Sequence, residues 1–169
     1  MSIEIGEGFC GTGSDAAHIN TILGFREGPV GTAFSTALAT PTAGHVPFLC
    51  VYQPGVPCEP PTLFVNKSAI ANPSHARLTW GAAQAGVAEG VLSYAATRFT
   101  PSDMGKWCLI VAVWVDPEAA DEQAVYLNNR VSTVTALERG QQGPDGDGIA
   151  RWRSGEPPAN PFFRSGVAR

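Results

Sequence analysis

Few side chains in this sequence are suited to chemistry: there are three histidines and two lysines. His18 lies inside an alternating run, Ala17–Leu23, with Asn20 two residues further on and therefore on the same strand face. An imidazole near neutrality is the usual general acid or base. Such a polar pair is either a solvent-side pair or a site. Lys67 interrupts the otherwise apolar run Thr62–Ile70. It is either an edge-strand guard against aggregation or a cation held for an anionic or carbonyl group. Gln84 is the one side-chain amide in Gly81–Gly90. It is either exposed or reads a heterocycle with its donor and acceptor together. His45 follows Gly44 in a loop. His75 falls in the first turn of a helix, where exposure is expected.

Other chemistries lack their residues. Cys10, Cys50, Cys58 and Cys108 are widely spaced and form no C-x-x-C pair. No metal site is expected, and each thiol reads as a small buried hydrophobe. There is no phosphate loop, nucleophile elbow or paired-carboxylate motif.

The composition narrows the partners. Eleven basic side chains against fifteen acidic ones give a net charge of −4 without a basic patch. Nucleic acid and anionic membrane are therefore poor partners. Charged residues make up 15% of the chain, against about 25% in an ordinary globular domain. A weakly charged, Gly- and Ala-rich surface of this kind implies burial in an oligomer. The acidic start has no basic region followed by an apolar run. The longest strongly apolar stretch, Trp107–Val115, falls short of the roughly 20 residues of a membrane helix. A reduced, cytoplasmic protein is expected.

These residues need elements to position them. Ile3–Cys10 and Ala16–Leu23 alternate across a Gly-rich join and predict a hairpin. Pro29 opens a helix through Leu38. Val46–Gln53 and Thr62–Ile70 read as strands. Asn72-Pro73 is a cap and first-turn proline opening a helix to about Phe99, with Ala76, Trp80, Val87 and Val91 on one face. Its Gly81, Gly86 and Gly90 allow close backbone approach. Lys106–Val115, apolar on both faces, predicts a central strand. Asp116-Pro117 repeats the cap, and Glu118–Arg139 is the last helix. Strands and helices intermix, so the class is α+β, with a mixed sheet and helices packed on one face. The expected organisation is a domain over 1–139 and a Gly/Pro-rich tail over 140–169, strapped onto a neighbouring subunit through Phe162 and Phe163.

A longer pattern joins these pieces. Ile5-Gly-Glu-Gly-Phe-Cys-Gly-Thr-Gly13 precedes Ala17-His18-Ile19 and Gly28-Pro-Val-Gly-Thr-Ala-Phe34. Ala43-Gly44-His45, Phe48-Leu49, Pro54, Pro60, Thr62-Leu63 and Asn66-Lys67 follow. Trp80-Gly81-Ala-Ala-Gln84 and Asp116-Pro117-Glu118-Ala119 complete it. Together they resemble the formaldehyde-activating enzymes of methylotrophs over most of residues 3–133.

The resemblance implies condensation of formaldehyde with tetrahydromethanopterin, or its dephospho form, to methylenetetrahydromethanopterin and water. It implies a ribosomal-protein-S5-domain-2-like α+β fold and a homopentamer with the pterin held between neighbours. It places the general acid at His18 and pterin contacts at Asn20, Leu49, Lys67, Ala69 and Gln84, with no metal required. Two expected contacts depart from the pattern. Asn20 stands where the family usually has an acidic residue, and Ala69 stands for a threonine. A non-catalytic paralogue that senses or carries formaldehyde or a pterin is therefore the alternative.

Overall fold

A computed structural model describes residues 3–160 and the backbone of Phe163–Arg164. The chain runs through β1 (Glu4–Cys10), β2 (Ala17–Phe25), α1 (Pro29–Ala39), β3 (Phe48–Leu49), β4 (Val51–Gln53), β5 (Val56–Pro57) and β6 (Thr62–Asn66). It continues through α2 (Pro73–Arg77), α3 (Gln84–Arg98), α4 (Pro101–Met104), β7 (Trp107–Trp114) and α5 (Glu122–Gln142). α6 (Asp147–Arg153), β8 (Ala159–Asn160) and β9 (Phe163–Arg164) end it. Five strands form one sheet in the order β1-β2-β7-β6-β3. All neighbours are antiparallel except β6 and β7, which are parallel. The sheet is mixed and the class is α+β, as the sequence implies. The strongly apolar β7 is its central strand.

Alternation sorts the side chains. Ile19 and Leu23 of β2, Phe64 of β6 and Leu109, Val111 and Val113 of β7 share one face. They pack with Leu78, Val87 and Val91 of the α2–α3 stretch and with Ala136 and Leu137 of α5. Each fully buried aliphatic side chain contributes about 1.5–3 kcal/mol. The opposite face carries Ile5, Glu7 and Phe9 of β1, His18, Asn20 and Ile22 of β2, and Ala112 and Trp114 of β7. Ile5 is 67% exposed there and Ile22 36%.

α5 approaches β1 backbone to backbone. A Cβ added at Gly6 would collide with the carbonyl of Ala136, and one at Gly8 with that of Ser132. Gly86 and Gly90 give α3 the same close approach to α5, whereas Gly81 faces open space.

Several local expectations change. His75 is buried, not exposed. Its Nδ1 accepts from the Ala71 amide and its Nε2 lies 3.0 Å from the Val115 carbonyl. Trp80 does not share the face of Val87 and Val91: it is 53% exposed while they are buried, because Leu78–Ala83 is π-helical and breaks the 3.6-residue period. β6 stops at Asn66, whose buried amide donates to Gly44 and Ser68 carbonyls and turns the chain. Cys50 separates β3 from β4, which pairs with β5 in its own ribbon.

Asp116 does not cap a helix. Its carboxylate accepts from the Glu118 amide in a turn, and α5 starts later, capped by Asp121 accepting from Ala124. α5 runs on to Gln142, and α6 and β8 follow within the Gly/Pro-rich segment. Phe162 lies outside the described residues, as does the side chain of Phe163.

Gly6→Ala should destabilise the fold by about 1–3 kcal/mol, the usual cost of overpacking. Urea denaturation measures it. A midpoint equal to that of the parent chain would show that α5 does not rest on β1 as described.

Candidate functional site

The hairpin register sets the first part of the site. Glu7 is paired with Asn20 and Phe9 with His18, so Glu7, His18 and Asn20 all project from the face opposite α5. Lys67 arrives from the far side of β7. It lies one residue past the last β6–β7 pair, Asn66 with Val113, and its amide donates to the Val113 carbonyl at 2.7 Å. Asn66 clamps the turn beneath it, and His45 Nδ1 lies 2.9 Å from the Asn66 carbonyl. Two polar groups from the hairpin and one from the end of β6 thereby meet across β7.

The contacts form a chain. Lys67 Nζ donates to Asn20 Oδ1 at 2.7 Å and lies 3.3 Å from His18 Nδ1. His18 Nε2 lies 3.2 Å from Glu7 Oε1. Arg139 of α5 reaches around the β1 edge, donating to Glu7 Oε2 and to the Glu7 carbonyl, both at 3.0 Å. A neutral imidazole satisfies this arrangement, with Nε2–H donating to Glu7 and Nδ1 accepting from Lys67. The order carboxylate–imidazole–amine joins a potential nucleophile to a base that a third group orients.

Electrostatics favour that neutral form. Burial, then the Lys67 ammonium, hold the His18 imidazole below the ordinary histidine value, against the upward pull of Glu7. Burial also holds the Lys67 amine below the ordinary lysine value, again opposed by Glu7. The downward shift of the Lys67 amine narrows the gap between its pKa and that of the imidazole, while that of His18 keeps the ring neutral and free to accept at Nδ1.

The expected site residues divide. His18, Asn20 and Lys67 are brought together. Leu49 pairs with Leu63 and is 42% exposed, on the same sheet face but nearer the β3 edge. Ala69 is exposed on the turn after β6, with its Cβ close to Gly44. Gln84 is turned inward, donating to the Val51 carbonyl at 2.6 Å and to Cys50 Sγ at 3.3 Å. Its amide ties α3 to β4. Glu7 and Arg139 complete the cluster and were not singled out from the sequence. The readable signal for Glu7 was its place on β1 between Ile5 and Phe9, once the hairpin register is known. Nothing local marks Arg139. Among the described residues no group of three or more His, Cys, Asp or Glu side chains is placed to hold a metal ion. No helix among them is long and apolar enough to cross a membrane.

The protein is an α+β domain with a cluster of carboxylate, imidazole and amine on one sheet face. The sequence matches the formaldehyde-activating enzyme family over residues 5–153, and the chain belongs to that family. It is 39% identical over 140 residues to a 5,6,7,8-tetrahydromethanopterin hydro-lyase of Methanosarcina barkeri. That alignment covers 82% of this chain and 79% of the relative. It is also 39% identical over 137 residues to a bifunctional enzyme Fae/Hps of Methanosphaera stadtmanae, covering 80% of this chain and 34% of the relative. A bifunctional enzyme Fae/Hps of Methanosarcina mazei is 37% identical over 148 residues, covering 86% and 38%. The chain thus spans little more than a third of these bifunctional relatives.

Lys67→Met removes the cation beside His18. The His18 titration, followed by NMR of the ring protons, should move upward from its depressed position, whereas Glu7→Gln should move it downward. The sign for stability follows. A depressed imidazole stabilises the fold above its unfolded value of 6.5, and that contribution is lost as pH falls through the folded value. An unshifted titration in Lys67→Met would dissolve the pair.

Proposed function

We propose that the chain condenses formaldehyde with tetrahydromethanopterin, or its dephospho form, giving the methylene derivative and water. The observation that carries this reading is the Glu7–His18–Lys67–Asn20 cluster in a chain of this family. The activity named for the hydro-lyase relative supports it. The pterin is a co-substrate, lying over Asn20, Lys67 and Leu49, with Ala69 and Gln84 at its margin. The fold is ribosomal-protein-S5-domain-2-like, as the resemblance implies, and the protein cytoplasmic, in keeping with its unpaired cysteines. Five copies form a ring, and a neighbour covers the apolar Ile5, Ile22 and Leu49, enclosing a pocket that one sheet face leaves open.

The chemistry uses these residue types. Formaldehyde adds to an amine to give a carbinolamine. Its hydroxyl departs only with a proton, since hydroxide is a poor leaving group. His18 supplies that proton as general acid, and Glu7 keeps the ring oriented. A positioned acid of this kind is worth about 10²–10⁴-fold. Holding both pterin nitrogens in register adds rate through orientation.

Asn20 favours a second reading. An amide accepts from Lys67 without neutralising it, which fits a paralogue that binds formaldehyde or a pterin without turnover.

The assay is the rate of methylene-pterin formation with and without protein, using tetrahydromethanopterin and tetrahydrofolate in parallel. His18→Ala should lower the catalysed rate by about 10²-fold or more with assembly unchanged by light scattering. An unaltered rate would remove His18 from the mechanism.

Asn20→Asp should strengthen pterin binding by about 1.5–3 kcal/mol, the worth of a hydrogen bond to a charged group. Unchanged affinity and rate would leave the second reading without its support.

A further inference from the structure

An amine attacks an aldehyde only when it is neutral and a base can handle its protons. The two lysines of this chain differ sharply in that respect. Lys106 is exposed and its ammonium donates to Asp103 Oδ1 at 2.8 Å. Lys67 is half-buried, and its partners at 2.7 and 3.3 Å, Asn20 and His18, include no carboxylate. His18 is an available base, and Glu7 fixes its other nitrogen. The charged groups around the amine are Glu7 from β1 and, behind Glu7, Arg139 from α5.

We propose that Lys67 is a nucleophile served by Glu7 and His18, and that it captures formaldehyde as a protonated imine. This rests on formaldehyde being the substrate. His18 Nδ1 takes a proton from the Lys67 ammonium, freeing the Nζ lone pair. Nζ bonds to the aldehyde carbon as the C=O π pair moves to oxygen, and the imidazolium protonates that oxygen. His18 then takes a second proton from Nζ and returns it to the hydroxyl. The C–O bond breaks, water leaves, and an Nζ=CH₂ cation remains. One ammonium and one formaldehyde thus become one protonated imine and one water, with no oxidant or reductant. The imine carbon is then open to attack by a substrate amine, which would release Lys67. The downward shift of the Lys67 amine by burial is consistent with this role. His18 acts first as base and then as acid, so it needs no imidazolium at rest.

The test uses the full chain with formaldehyde and sodium cyanoborohydride, without pterin. Trapped imine becomes a methylamine, located by peptide mass spectrometry. Lys67 should be methylated at least about tenfold faster than Lys106, a modest fraction of what a positioned base supplies. His18→Gln should bring the two rates together. Glu7→Gln, a change at a positioning residue, should move the half-maximal labelling of Lys67 to lower pH, because Glu7 raises both partners. Lys67→Arg keeps the charge and controls for folding by thermal denaturation. Equal rates at the two lysines of the parent chain would overturn the proposal, as would an undiminished Lys67 preference in His18→Gln. Accelerated condensation without preferential labelling would overturn capture by Lys67 while leaving the proposed reaction standing. Preferential labelling without accelerated condensation would support capture and overturn that reaction.

Discussion

The backbone-to-backbone contact between α5 and β1 is the constraint on which the rest of the structure depends. Gly6 and Gly8 leave no side chain between the strand and the carbonyls of Ala136 and Ser132. With the helix this close, one face of β1 is sealed. Strand alternation then obliges Ile5, Glu7 and Phe9 to project from the other face. The hairpin register carries the same division into β2, where Ile19 and Leu23 enter the core and His18 and Asn20 stay outside it. The same helix sends Arg139 around the sheet edge to hold the carboxylate of Glu7. One contact thus supplies both the core and the orientation of the acid–base cluster.

The cluster works because its members are neither fully buried nor freely hydrated. The side chain of His18 is 38% exposed and that of Glu7 49%. At such positions solvent screens the charges, and ion pairs contribute little to stability. What the geometry provides is a proton path rather than stabilisation. Imidazole and amine lie 3.3 Å apart, and burial pushes both toward their neutral forms. Placing a cation against a histidine costs the fold something at low pH.

Much of the frame was legible in the residues. The alternation of Ala17–Leu23 assigns each β2 side chain to its observed face. The unbroken apolar run of β7 marks the central strand of the sheet. Asn72-Pro73 does cap a helix, with the Asn72 side chain accepting from the His75 amide. Other local signals misled. Asp116-Pro117 offers a similar cap-and-proline pair, yet its carboxylate closes a turn, while Asp15 accepts from the Ala120 and Asp121 amides and α5 starts only after Asp121. Trp80 fits a 3.6-residue stripe that the π-helical stretch then rotates into solvent. His75 looks like a first-turn surface residue, but two backbone partners satisfy it inside the core.

The sequence by itself determined the main strands, the two faces of β2 and the family, since these follow from period and an ordered set of motifs. It also marked His18, Asn20 and Lys67 as polar intrusions among apolar neighbours. The tertiary structure decided which intrusions meet. Lys67 is 49 residues from His18 along the chain, and only the parallel docking of β6 on β7 brings their nitrogens together. It decided that Gln84 turns inward, since packing against β4 offers its amide two partners. It brought Arg139 to Glu7, 132 residues away, and Glu7 to the imidazole of His18. Side-chain period is a local property and can be read in one dimension. Register between strands distant in sequence is set by what the helices cover, and that exists only once the chain has folded.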